Sequence, residues 1–188
     1  MELPVPLPPR SGLRRRDPSV DASDQHGELR PPLDGAAGGP RLVEVLRETC
    51  RRGGWTYAEV WVPAPETGTL DLHPLWHGDA NSGRHFRSPT ERLAFVPGTG
   101  LPGRAWHERC TIFVPDLADD PYFARPTAAR RAGLRSGAAV PVLDDGEVTM
   151  VLAFFGRGGP SRQAAMQESV TSLAERLGVG VPARSAHS

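Results

Sequence analysis

The sequence predicts an α+β fold: a central antiparallel sheet with two terminal helices packed on one face. Three observations carry this expectation. "SGAAVPVLDDGEVTMVLAFF" (136–155) joins two apolar runs through Asp145-Gly146, the pair that favours a type I′ turn. "WTYAEVWV" (55–62) alternates at the period of a strand, and "TLDLHPLWH" (69–77) follows the turn "PAPETG" as its hairpin partner. Amphipathic helices precede the first hairpin and follow the last, so each must lay its single apolar stripe on the sheet.

Taken in order, residues 1–39 are rich in Pro, Ser, Asp and Gly with no apolar period. They bury too little surface to offset chain entropy and are expected to be disordered. "LRRR" (13–16) is read as part of this solvated tail. Order is expected over 40–178. "PRLVEVLRETCRRGG" sets Leu42, Val45, Leu46 and Thr49 on one helical face, between Pro40 and Gly53. In the first strand Trp55, Tyr57, Glu59 and Trp61 are expected on one side; Thr56, Ala58, Val60 and Val62 take the other. Residues 78–92 are polar and expected to be irregular, with one helical turn near Pro89. "RLAFV" reads as a strand, "LPGRAWHER" as a short helix, and "TIFVP" as a strand. "DDPYFARPTAARRAGL" reads as a turn and a two-turn helix ending near Gly133. The last helix is expected to start at a Ser161 cap. It aligns Met166, Val170, Leu173 and Leu177, and stops at Gly178. Residues 179–188 read as a flexible C-terminal tail.

Composition narrows the functional classes. The 188 residues carry 22 basic and 22 acidic groups, so no net field draws the chain to nucleic acid or an anionic membrane. No apolar run approaches the roughly 20 residues of a membrane span, and the N-terminus lacks a signal-peptide pattern. A cytoplasmic location is the expectation. Two cysteines, Cys50 and Cys110, make neither a disulfide framework nor a zinc site. His73 and His77 flank Pro74; on a strand they lie about 13 Å apart, too far for one ion. No metal site is expected.

"GTGLPG" (98–103) spells the glycine pattern of dinucleotide-binding loops. Such a loop needs a parallel crossover of a dozen or more residues. Only seven residues, Arg104 to Cys110, separate Gly103 from Thr111, so the dinucleotide reading fails. The glycines instead suit a tight turn into a short helix.

"FVPGTGLPGRAW", "VPDL", "YFAR", "AGLRSGAAVPVLDDGEV" and "VLAFF", in this order, resemble the GAF domain of bacterial signalling proteins. "GGWTYAEVWVP…LWH" is similar to the subset associated with histidine kinases. The resemblance covers about residues 40–178. It implies a GAF-like, PAS-related sheet with a helix pair on one face and a small-molecule pocket on the other.

The resemblance also implies site residues. Trp61, Trp76, Phe95, Trp106 and Phe123 fall on segments that surround the ligand side, though the same rings can fill that space as ordinary core. Asp116, Arg125 and Arg135 match polar positions of the family, and Asp116 can instead cap its own loop. Glu59, between Tyr57 and Trp61, needs a partner if buried, with Arg87, Arg125 and Arg135 as candidates. Many relatives carry an acidic residue where this chain has Ala153. One enzymatic subgroup reduces free methionine sulfoxide through several cysteines; a single core cysteine, Cys110, disfavours that activity. A haem or covalent bilin is disfavoured too, and no cofactor is assigned.

The expectation for function is therefore a sensor domain without an output domain of its own, binding an unidentified small molecule. Its output would pass to a partner kinase or regulator. The alternative is a GAF domain that only dimerises or docks a partner. The helix pair is expected to form a weak homodimer, with Val43, Cys50, Ala165, Ser169 and Ala174 as a second edge.

Overall fold

The computed structural model of the chain describes residues 13–15 and 38–179. The strands are β1 (Leu13–Arg15), β2 (Tyr57–Ala64), β3 (Thr69–Gly78), β4 (Leu93–Phe95), β5 (Ile112–Val114), β6 (Ser136–Asp144) and β7 (Glu147–Gly156). The helices are α1 (Gly38–Gly53), α2 (Ala80–Ser82), α3 (Ser88–Thr90), α4 (Gly100–Glu108), α5 (Pro126–Ala132) and α6 (Pro160–Arg176). One antiparallel sheet runs in the order β1-β4-β3-β2-β7-β6-β5. Both expected hairpins lie inside it.

Strand alternation builds two cores. On β2, Tyr57 and Trp61 face one cluster while Ala58 and Val60 face the other; on β7, Val151 and Phe155 oppose Leu152 and Phe154. The second cluster is closed by α1 and α6 through Leu42, Leu46, Met166, Val170 and Leu173. The terminal helices thus share one face, as their stripes require. The opposite face is covered by α2–α3, α4 and α5.

Several expectations are corrected. Leu13–Arg15 is not disordered: it pairs with Leu93–Phe95 at the sheet edge, where open backbone groups accept a strand whatever its side chains. Pairing of this kind leaves no trace in an apolar pattern. The remainder of 1–37, and 180–188, lie outside the described residues. Trp55 joins the helix-side cluster rather than the side of Tyr57. The strand begins only at Tyr57, after a left-handed Gly54 (φ 67°), and the indole Nε1 donates to Ser169 Oγ at 2.9 Å. Residue 161 is not the cap of α6; Gly159 holds that position with Pro160 at the first turn. Cys50 on α1 and Ser169 and Ala174 on α6, expected on an outer dimer edge, are buried on the inner sides of their helices.

Residues 80–90 are helical, not irregular. Gly83–Arg87 forms a π-helical turn between α2 and α3. Asp79 caps the start by accepting from Ser82 N at 2.8 Å. Short length, Gly83 and Pro89 hid the helix; tertiary burial of Ser82, Phe86, Arg87 and Thr90 holds it.

The "GTGLPG" loop does make a tight turn. Gly98 and Gly100 have φ of 80° and 61°, and Gly98 N donates to Gly103 O at 2.7 Å. A Cβ on Gly103 would lie 2.5 Å from Val96 O. β4 and β5, on either side of α4, stand near opposite ends of the sheet. No parallel crossover exists here.

Candidate functional site

Between the sheet and its α2–α5 cover lies a ring-walled chamber with an ion pair at its centre. Glu59, fully buried on β2, stands between Tyr57 and Trp61 on the same strand face. Tyr57 Oη donates to Glu59 Oε2 at 2.9 Å and Trp61 Nε1 to Oε1 at 2.8 Å. Period-two spacing fixes both donors, so the carboxylate is held by its own strand. Burial, and then the Glu59 charge, push the Tyr57 hydroxyl well above the usual phenol range. It therefore remains a donor at neutral pH.

Arg125 supplies the counter-charge from the loop that enters α5. Nη2 donates to Glu59 Oε1 at 2.7 Å; Nη1 donates to Oε2 at 3.2 Å and to Thr90 Oγ1 at 2.8 Å. Thr90 in turn donates to Phe86 O at 2.6 Å. Phe86, Phe155, Phe95 and Trp61 surround the guanidinium, their centroids 4.2, 5.0, 5.5 and 5.7 Å away. Ala153 lies directly across from Glu59 in the β2–β7 register, and its small side chain adds no competing charge.

Arg87 has another task. Between Glu59↔Trp76 and Trp61↔Leu72, two strand steps on β2 face four on β3. Pro74 cannot donate to the ladder, and the bulge frees carbonyls. Arg87 Nη2 donates to His73 O at 2.9 Å and to Pro74 O at 3.5 Å. Of the three arginines weighed as partners for Glu59, Arg125 is the one that binds it.

The expected site residues divide. Trp61, Phe95, Phe123 and Arg125 are buried in the chamber wall, and Trp106 packs at its border. Trp76 stacks on Tyr57 at 5.8 Å but is 37% exposed at the rim. Asp116 and Arg135 lie elsewhere. Asp116 accepts from Ala118 N at 2.9 Å, as a loop cap does, and stands 3.6 Å from an exposed Arg135. Phe86, Thr90 and Phe155 complete the chamber and escaped the sequence reading. Phe86 and Thr90 carried no signal because their helix was not visible; Phe155 ends a continuous apolar run, "VLAFF", which does not show which face each side chain takes. Thr90 and Arg125 also line a cavity of about 280 Å³ whose other walls are mostly apolar. Among the described residues no group of three His, Cys, Asp or Glu side chains could hold a metal ion.

The cysteines sit apart. Cys50 belongs to the helix-side cluster, where burial pushes its thiol up to about 12. Cys110 is half-buried beyond α4, and burial with the nearby Glu108 raises it as well. Neither is primed as a thiolate. Maleimide is expected to label Cys110 slowly in the folded protein and Cys50 only after unfolding. Mass spectrometry along a urea series checks this, and labelling of both at equal rates would show that α1 detaches.

An antiparallel sheet with paired terminal helices on one face and a covered chamber on the other defines a GAF-type domain. The chain belongs to this family: its model, described as "GAF domain", matches residues 41–181. Among solved structures, the GAF domain of A. aeolicus nlh2 in an inactive state is similar at 20% identity and a TM-score of 0.53, over 72% of this chain and 78% of that one. The free methionine-R-sulfoxide reductase of Neisseria meningitidis, in complex with its substrate, is similar at 20% identity and a TM-score of 0.51, over 74% and 77%. NreA of Staphylococcus aureus, mutated in its nitrate binding site, is similar at 19% identity and 0.50, over 65% and 87%. At such identities the likeness establishes the fold alone. No curated protein sequence matches. Among the described residues no helix is long and apolar enough to cross a membrane.

Proposed function

We propose that this chain is a sensor domain of cytoplasmic signal transduction that binds a small molecule in the chamber under α2–α5, without catalysing a reaction. The observation that carries the reading is the buried Glu59–Arg125 pair beside the cavity. An ion pair in a core gives little stability over well-packed apolar side chains, so its presence here supports a recognition role. The raised thiols of Cys50 and Cys110, on different parts of the fold, disfavour sulfoxide reduction.

Thermal-shift screening of the full chain against nucleotides, tetrapyrroles and aromatic or aliphatic metabolites tests the reading. A saturable rise in melting temperature, weakened by substitution at the cavity wall, is the expected result. Absence of any saturable ligand would overturn it in favour of a docking or dimerising domain, which the dense ring packing of the chamber also suits. Output then passes to a partner kinase or regulator through association, with homodimerisation by the α1–α6 pair as one route.

A further inference from the structure

The two ends of the sheet differ. At one end, among the described residues, β5 pairs with β6 alone. At the other, the outer edge of β4 carries β1, antiparallel and in the register Leu13↔Phe95, Arg14↔Ala94 and Arg15↔Leu93. β1 is a neighbour of β4 in space but not in sequence. Residues 16–37 separate it from α1, and the other strand pairs, from β4–β3 to β6–β5, form without it. An edge strand offers a row of backbone N–H and C=O groups to any extended segment. Three paired residues make a short ladder at the margin of the sheet, and such margins open at low cost.

The edge also selects residue types. Backbone bonds accept any sequence, while positions that alternate between the two faces discriminate. Leu70 and Phe95 stand in one row and are fully buried in the chamber-side core, so position 13 extends an apolar row. Asp71 and Ala94 stand in the next row, on the other face, and position 14 extends that one. Here a half-buried carboxylate, which accepts from Thr69 Oγ1 at 3.2 Å, lies two strands away across a small side chain. Strands are about 4.8 Å apart, so the row spans roughly 10 Å, a distance that a long basic side chain bridges. The edge therefore fits an apolar residue followed by a basic one. The chain's own sequence there is Leu13 then Arg14. Leu93, opposite Arg15, also lines the cavity of about 280 Å³ beside α5, so an occupant of this edge borders that cavity.

We infer that the outer edge of β4 is a strand-docking site for an extended segment of a partner protein, an aliphatic residue followed by arginine or lysine, and that Leu13–Arg15 is the chain's own competitor for it. The partner strand takes the place of β1, its aliphatic residue in the row of Phe95 and its cation in the row of Ala94 and Asp71. The inference rests on the association half of the reading above and names the surface that carries it. It does not depend on a guest in the cavity.

The test follows the backbone amide resonances of Leu93–Phe95 in the full chain by two-dimensional NMR. The probe is a peptide of residues 9–18, PRSGLRRRDP, standing in for the partner segment. Leu13→Pro combined with Arg14→Pro in the chain removes the ladder donor from whichever of the two residues faces β4. A tethered strand competes at an effective concentration of about 1 mM. The peptide is therefore expected to shift the β4 amides saturably in the paired-proline variant, and to need at least tenfold more in the unaltered chain. Peptides with Leu13→Asp or Arg14→Glu are expected to bind at least tenfold more weakly, and Asp71→Arg in the chain is expected to reverse the preference at position 14. Arg14→Glu in the full chain weakens the resident strand without changing its backbone, and decides the matter if the paired-proline variant does not fold. A peptide that shifts no β4 amide in either variant, or that binds equally well with Leu13→Asp and Arg14→Glu, overturns the inference. So does a dimer of the unaltered chain at tens of micromolar that the paired-proline variant loses, which gives the edge to a second copy. Thermal-shift screening without a hit overturns the ligand reading alone and leaves the strand site standing.

Discussion

Arg125→Ala is expected to destabilise the domain by about 3–5 kcal/mol, the usual loss when one member of a buried pair is removed. Glu59 would stay fully buried with only Tyr57 Oη and Trp61 Nε1 as donors, and four rings would lose their cation. Urea unfolding followed by tryptophan fluorescence reads the loss. The double replacement Glu59→Leu with Arg125→Met separates charge from packing. It removes both charges at similar volume but leaves Tyr57 Oη and Trp61 Nε1 without their acceptor, so it is expected to recover only part of the loss. A double variant as unstable as the single one would mean that the orphaned Tyr57 and Trp61 donors cost as much as the unpaired charge.

Phe155→Ala is expected to cost a further large amount, about 3–5 kcal/mol, the range for deleting a buried phenyl ring. Phe155 is fully buried at the middle of the chamber wall, 4.8 Å from Phe86 and 6.2 to 6.3 Å from Phe123 and Tyr57 between ring centroids. It also lies under Arg125. The rings around it come from β2, the π-helical turn and the loop before α5, so no single element can collapse into the gap. The same unfolding assay checks the value. A loss below about 1 kcal/mol would show that the cover relaxes onto the sheet, and that the chamber is softer than its packing implies.

The candidate site was half legible before folding. Glu59 stood out because an acid between two aromatics on an alternating strand cannot be buried alone, and the need for an arginine partner followed from desolvation. Three arginines met that need equally well on paper. Choosing among them required knowing that Pro74 opens a bulge whose carbonyls engage Arg87, and that Arg135 remains on the surface beside Asp116. Phe86 and Thr90 were hidden for a different reason. Their helix spans Ala80–Thr90, contains Gly83 and Pro89, and has too few turns for a periodic stripe. Only packing against Tyr57, Phe155 and Arg125 stabilises it.

What the sequence determined by itself was local and periodic. Alternation along Tyr57–Val62 assigned side chains to two faces, Asp145-Gly146 closed the last hairpin, and single stripes on α1 and α6 required one shared face. These follow from strand and helix periods, which neighbouring residues already contain. Tertiary structure alone decided the rest. It turned Trp55 across the sheet onto Ser169, drew Leu13–Arg15 to the edge of β4, and brought Arg125 to Glu59 across 66 positions of chain. The physical reason is the same in each case. Distant backbone and polar groups are satisfied by whichever partner the packed layers bring within reach, and that depends on how the layers close rather than on any pattern inside one segment.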